Sequence, residues 1–214
     1  MYRRASRPEK PERSLFTMER RDAPPCRERG QRAYEQARRR GDGMERLSIQ
    51  ELESPIGTLL LAATERGLCN IEFGSAEHRL QRLKAWAAKI FGADSITEAG
   101  SNAHLAQASG QLCEYFARKR RQFDLSLDLH GTSFQLQVWG ALQEVGYGVT
   151  ASYKDIAAAI GSPRAVRAVG GANNRNPVPI IVPCHRIIGA SGELVGYGGG
   201  LDVKIYLLDH ENGR

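Results

Sequence analysis

The 214-residue sequence predicts an α/β protein in two parts, a small strand-and-helix segment followed by a mainly helical one. Three observations predict it. Residues 47–73 break short apolar runs with turn-forming triplets, two later stretches carry apolar residues at helical spacing, and beyond residue 129 short helices are each announced by a capping pair.

The first 43 residues belong to neither part. They hold thirteen Lys/Arg against seven Asp/Glu, which is the whole of the net charge of +6, and seventeen residues of each sign remain beyond them. A segment rich in Arg, Glu and Pro with few apolar residues cannot bury enough surface to offset its ordering entropy, so it is expected to be disordered and at most weakly drawn to polyanions. Initiation at Met1 and at Met44 fit the text equally.

Residues 47–73 read as a meander. A first strand leads to a turn at Ser54-Pro55-Ile56-Gly57, a second covers 58–63, Glu65-Arg66-Gly67 makes the next turn, and a third strand covers 68–73. A helix is expected near 77–91, with Leu80, Leu83, Trp86, Ala87 and Ile90 on one face. Another is expected near 102–118, carrying Leu105, Leu112, Tyr115 and Phe116. Cys69 in the strand and Cys113 in the helix are expected to be buried as small apolar residues. Residues 123–129 alternate apolar and polar, the mark of a strand buried on one face, and a boundary after them gives domains at 44–128 and 129–214.

Thr132 and Gln135 stand three apart, as a capping box requires, before a helix with Phe134, Val138, Leu142 and Val145. Ser152 and Asp155 open a short helix through Ile160, and Gly161 ends it. Ser162 and Pro163 then supply an N-cap and a first helical proline for a helix from Arg164. Two short helices around a glycine form the helix-turn-helix pattern, which ordinary helical hairpins share. The charges favour the DNA-binding version. Residues 156–192 hold Arg164, Arg167, Arg175, Arg186 and His185 with no acidic residue, the excess that a phosphate-facing surface needs. Ala165, Ala168, Gly170, Gly171 and Ala172 leave room for close approach to a groove.

The four cysteines, Cys26, Cys69, Cys113 and Cys184, show no C-x-x-C spacing, which argues against a disulfide framework or a zinc site and favours a reducing compartment. No apolar run approaches the roughly 20 residues that span a bilayer, and the charged N-terminus lacks a signal peptide's apolar centre. A soluble cytoplasmic protein without a metal is expected.

The chemistry concentrates at Asn176-Pro177-Val178-Pro179-Ile180-Ile181-Val182-Pro183-Cys184-His185-Arg186, a proline-stiffened apolar run that ends in a cysteine beside a base and a cation. The thiolate is the nucleophilic form of cysteine, and a base or positive neighbours are needed to populate it near neutrality. Adjacent residues of a flat strand point to opposite faces, so Cys184 and His185 can cooperate only if the chain turns there. Taken alone, a Cys-His pair is a common coincidence.

The surrounding text resembles the methylated-DNA-protein-cysteine methyltransferases, the O6-alkylguanine alkyltransferases. The resemblance is carried by Arg167-Ala168-Val169-Gly170-Gly171-Ala172, Asn176-Pro177, Ile181-Val182-Pro183-Cys184-His185-Arg186, Gly196-Tyr197-Gly198-Gly199-Gly200-Leu201 and Leu207-Leu208-Asp209-His210-Glu211. It is strongest over 153–211 and extends weakly upstream to about Leu47.

The resemblance implies a ribonuclease-H-like N-terminal domain and a mainly helical C-terminal domain with the helix-turn-helix. It makes Cys184 the alkyl acceptor, His185 the base acting through a bound water, Glu211 the carboxylate orienting His185, and Asn176 the hinge. Tyr153 becomes the residue that crowds the DNA phosphate and protonates the departing guanine, and Arg167 the side chain that fills the gap left by a rotated nucleotide. Lys154, Ser162 and Gln135 are the further expected DNA contacts. Tyr197 and Gly198 would close over the extruded base, with Val182 and Pro183 as pocket walls.

The implied partner is duplex DNA with O6-alkylguanine, O4-alkylthymine being an open second substrate. A monomer acting once, without cofactor or S-adenosylmethionine, is expected. Some family members carry zinc in the N-terminal domain, and this sequence offers no ligand set for it. Asn173-Asn174-Arg175 is more polar and basic than the family pattern, and the helix carrying Glu211, three residues from the last, is expected to fray. A damage sensor that binds without transfer and a Cys-His hydrolase that turns over are the competing readings. The first has no need of Cys184, and the second needs an oxyanion hole.

Overall fold

The computed structural model describes residues 46–92, 95–98 and 102–213, all within one compact unit. The expectations for residues 1–43, Cys26 among them, lie outside the described residues.

Strands β1 (Leu47–Leu52), β2 (Leu59–Ala63) and β3 (Leu68–Glu72) form the expected antiparallel meander, with Ser48 opposite Ala63 and Leu61 opposite Ile71. The Ser54-to-Gly57 turn closes through the Gly57 N–H on the Ser54 carbonyl at 3.0 Å. A short fourth strand, β4 (Ile96–Glu98), pairs parallel with β1 and gives the order β3-β2-β1-β4. Its three residues are too few for a periodic signal, and only the pairing defines it.

Strand β2 is buried on both faces, and its period of two divides it between two cores. Leu59, Leu61 and Ala63 face the main core, while Leu60 and Ala62 face a smaller one under α1 (Ala76–Phe91) with Leu83 and Ala87. Of the stripe expected on α1, Leu83, Trp86 and Ala87 pack there, while Leu80 and Ile90 are half-buried outside that cluster. Helix α2 (Ala103–Phe116) is capped by Asn102, whose side chain accepts the N–H groups of His104 and Leu105. It buries Leu105, Ala108, Leu112 and Tyr115. Cys69 is buried as expected, but Cys113 is exposed, because it falls one residue off that stripe and so about 100° round the helix.

Residues 123–129 do not form the expected strand. Their side chains alternate between half-buried and exposed over 123–127, with Asp128 and Leu129 both half-buried, but the backbone meets β3 at a single bridge, Leu127 to Leu68. The Leu68 N–H donates to Ser126 and the Asp128 N–H to Leu68. Gly67 permits this approach, since a Cβ there would lie 2.4 Å from the Ser126 carbonyl oxygen.

Helix α3 (Ser133–Gln143) carries the complete Thr132/Gln135 capping box, and α4 (Tyr153–Ala159) the complete Ser152/Asp155 one. Helix α5 (Val166–Asn174) starts later than expected. Ser162 is not its N-cap; 162–165 form a turn closed by the Ala165 N–H on the Ser162 carbonyl at 2.8 Å. Proline suits the second position of such a turn as well as a first helical one, and the turn prevails here. A 3-10 turn (Cys184–Arg186), a short strand pair β5 (Ala151–Ser152) with β6 (Ile187–Ile188), and α6 (Leu201–Glu211) complete the chain.

The main core draws on both parts, from Leu59 and Tyr115 to Trp139, Ile156, Val182 and Leu207. Among the described residues no helix is long and apolar enough to cross a membrane.

Candidate active site

The site is built on a strained loop. Residues 177–183 fold back on themselves, with the Val182 N–H on the Val178 carbonyl at 2.9 Å. At the tip, fully buried Ile180 holds φ at 75°, a left-handed conformation that a β-branched residue adopts only under tertiary constraint. Asn176 ties the loop shut. Its Oδ1 accepts the Val178 N–H at 3.0 Å, and its Nδ2 donates to the Val182 carbonyl at 2.7 Å and to the Cys184 sulfur at 3.0 Å. The first residue of the proline-rich run therefore sets the position of the Cys184 sulfur eight residues on.

The 3-10 turn at Cys184–Arg186 supplies the bend that cooperation between Cys184 and His185 requires. Both side chains are buried. His185 Nε2 lies 2.8 Å from Glu211 Oε1. Glu211 is held far below the ordinary carboxylate range: burial alone would raise it, but hydrogen bonds from His185 and Arg186 outweigh burial. An ionised carboxylate only accepts, so His185 carries its proton on Nε2 and presents the Nδ1 lone pair, which has no partner among the described residues. Burial lowers the His185 pKa against the opposing pull of Glu211, so the ring is neutral and able to receive a proton.

Glu211 is the most heavily bonded group of the site. It accepts from the Tyr115 hydroxyl at 2.9 Å, the Gly148 N–H at 3.0 Å, His185, and Arg186 through Nε at 2.9 Å and a terminal nitrogen at 3.0 Å. These bonds explain why the end of α6 does not fray before Glu211, contrary to expectation. They also correct the reading of Arg186. It is buried and paired with Glu211, whereas Arg164, Arg167 and Arg175 are exposed.

Burial pushes the Cys184 thiol up to about 11, against pulls from the Asn176 amide and the Lys204 ammonium. Lys204 was not anticipated. It is buried, its pKa is lowered by burial, and its Nζ donates to the Ile187 carbonyl at 2.6 Å and the Val195 carbonyl at 3.1 Å. A signal was available, because Lys204, Leu207 and Glu211 recur at helical spacing on one face of α6, so the lysine occupies a core position.

Tyr153 opens α4, packs near Gly170 of α5, and is close enough to Cys184 for the sulfur's charge to raise its pKa further, after burial. It lines a cavity of about 450 Å3 together with Gly170, Asn173, Gly189, Glu193 and Gly196. Tyr197 follows in the same loop; its ring stacks obliquely on Phe73 at 5.8 Å, and its buried hydroxyl lies near Cys184 without a well-formed hydrogen bond. Gly198 is exposed, while Val182 and Pro183 are buried in the turn that carries Cys184. Arg167 and Lys154 project to solvent from α5 and α4. Ser162 lies in the turn between them, and the Gln135 side chain accepts the Thr132 N–H in its capping box.

This arrangement defines a class: a protein that presents one buried thiol, fixed by an asparagine and backed by a neutral imidazole on an ionised carboxylate, beside a pair of short helices. Comparison with known proteins gives the family. Residues 133–213 match the model of the 6-O-methylguanine DNA methyltransferase DNA binding domain, and residues 50–129 match that of its ribonuclease-like domain. The chain belongs to the 6-O-methylguanine DNA methyltransferase family.

It is 46% identical over 160 residues to the methylated-DNA–protein-cysteine methyltransferase of Methanosarcina barkeri, covering 75% of this chain and 94% of that one. It is 45% identical to the constitutive enzyme of that name from Bacillus subtilis, over 74% of this chain and 92% of the other. The crystal structure of Mycobacterium tuberculosis OGT in complex with DNA superposes with a TM-score of 0.64 at 43% identity, covering 78% of this chain and 93% of that chain.

Proposed function

We propose that this protein repairs duplex DNA by moving an alkyl group from O6 of guanine to Cys184, once per molecule. The observation that carries the reading is the pairing of a sulfur held by Asn176 with a neutral His185 whose other nitrogen is committed to Glu211.

The chemistry follows from the protonation states. At rest Cys184 is a thiol, since burial disfavours its charge. As the sulfur attacks the alkyl carbon, the thiol proton passes through a water to Nδ1 of His185, the S–C bond forms and the C–O6 bond breaks. Guanine leaves with a proton from Tyr153, whose raised pKa keeps it a phenol until then; the phenol is restored by the proton that His185 releases to solvent. A thioether has no comparable exit, so each molecule acts once. The alkyl carbon is enclosed in a stacked duplex, so the nucleotide must rotate out at a cost of a few kcal/mol, least for a damaged base.

Exposed Arg167 on α5 is suited to hold the gap, with Lys154, Ser162 and Gln135 toward the phosphates. The cavity at Tyr153, lined also by Gly170, Gly189, Glu193 and Gly196, is where the extruded base enters, with Tyr197 and Gly198 closing over it and Val182 and Pro183 walling the approach to Cys184. Domains at 44–128 and 129–214, a cytoplasmic monomer and independence of any cofactor belong to the same reading.

Incubation with a duplex containing O6-methylguanine, followed by intact and peptide mass measurement, tests it. The expected product carries one methylene on the Cys184 peptide and no more than one per molecule. Unmodified protein bound tightly to the duplex would replace this reading by a sensor, and repeated turnover by a hydrolase.

A further inference from the structure

The strand-and-helix part touches the acceptor site at three places. The Ile71 N–H of β3 donates to the Pro177 carbonyl beside the Asn176 hinge at 2.8 Å, Phe73 supports the Tyr197 ring, and Tyr115 at the end of α2 donates to Glu211. The third contact reaches the chemistry most directly. The oxygen that accepts the Tyr115 hydroxyl is Oε1, the same one that accepts His185. Tyr115 is itself fixed: it is fully buried, its ring packs against Phe116, Phe123 and Tyr147, and its carbonyl accepts from His210 Nε2 at 2.9 Å. Phenylalanine would serve that aromatic cluster as well, so packing does not account for the hydroxyl.

We propose that Tyr115 is a positioning residue of the acceptor site, whose hydroxyl holds Glu211 in place and limits how strongly Glu211 draws on His185. The inference rests on the reading of Cys184 as the alkyl acceptor. Each donor shared by Oε1 spreads the carboxylate's charge and weakens its pull on the imidazolium. With Tyr115 removed, Glu211 binds the His185 proton more tightly, and the neutral ring that receives the thiol proton becomes scarcer at a given pH. The other charged and titratable groups around the pair are Arg186, Lys204, Tyr147 with Arg121 over its ring, Tyr197, Cys184 and His210.

The test is the pH dependence of the single-turnover transfer rate at saturating O6-methylguanine duplex, between about pH 5 and 9, on the full chain. Tyr115→Phe is expected to move the acid limb upward by about one pH unit, a tenfold loss of rate on that limb. Placing 3,5-difluorotyrosine at position 115 keeps the shape and strengthens the donor, so the limb moves downward; this arm decides the matter alone if Tyr115→Phe does not fold. His210→Gln keeps a donor on the Tyr115 carbonyl and leaves the limb in place. A limb unmoved by either change at position 115, or displaced equally by His210→Gln, overturns the proposal. A wild-type protein that transfers nothing overturns the acceptor reading instead.

Discussion

The Asn176 amide nitrogen lies 3.0 Å from the Cys184 sulfur and 2.7 Å from the Val182 carbonyl, so one donor group fixes both the sulfur and the backbone turn that presents it. Asn176→Ala should slow alkyl transfer at least tenfold and cost about 1–3 kcal/mol of stability through the buried groups left unpaired. Asn176→Asp should be worse in transfer, because it sets a negative charge beside a forming thiolate. Single-turnover rates and thermal unfolding measure the two effects separately; an Asp variant faster than the Ala variant would show that the amide does not act on the sulfur.

Glu211→Gln leaves the buried Arg186 without its counter-charge and should destabilise the fold by about 3–5 kcal/mol. The pH dependence has a definite sign. The folded-state pKa of Glu211 is depressed, and that of Asp128 is lowered to about 2 despite burial, through bonds from His130, Arg66 and Thr64. Both contribute stability that is present above the ordinary carboxylate range and is lost as pH falls toward their folded values. Denaturant midpoints measured from neutrality to pH 2 should fall steeply below about pH 4 in the wild type. In Glu211→Gln the fall should be shallower.

Because burial pushes the Cys184 thiol up to about 11, its alkylation by a small reagent such as iodoacetamide should be slow at neutrality and should rise through the alkaline range. Lys204→Met removes an ammonium that favours the thiolate there and frees the Ile187 and Val195 carbonyls. Its alkylation profile should lie at higher pH than the wild type's, as followed by mass of the Cys184 peptide. Coincident profiles would mean that Lys204 serves the fold alone.

Arg167 is exposed and bonded to nothing within the described fold. Arg167→Ala should therefore change stability by no more than about 0.5 kcal/mol. Repair of duplex DNA should fall much more than reaction with free O6-benzylguanine, which needs no extrusion. Equal losses on both substrates would remove the gap-filling role.

Much of the site was legible because its signals are local. The Thr132/Gln135 and Ser152/Asp155 boxes are contacts between residues three apart, and the text around Cys184 is contiguous. The same locality explains the failures. The alternation of 123–129 reports burial of one face, which an extended segment with one bridge to β3 satisfies as well as a strand does. Ser162-Pro163 reports a fixed backbone angle, which a turn uses as readily as a helix start.

The sequence by itself determined the three-stranded meander, the principal helices and two capping boxes, since each rests on periodicity or capping chemistry between near neighbours, while the expectations for Asn176 and Cys184 came from the family resemblance. Only the tertiary structure decided where charge resides. It turned Arg186 inward onto Glu211, set the Lys204 ammonium on the Ile187 and Val195 carbonyls, and brought the Tyr115 hydroxyl across 96 positions of sequence to the carboxylate. The reason is physical: a buried charge must find its partners wherever packing brings them within about 3 Å, and that distance bears no relation to separation along the chain.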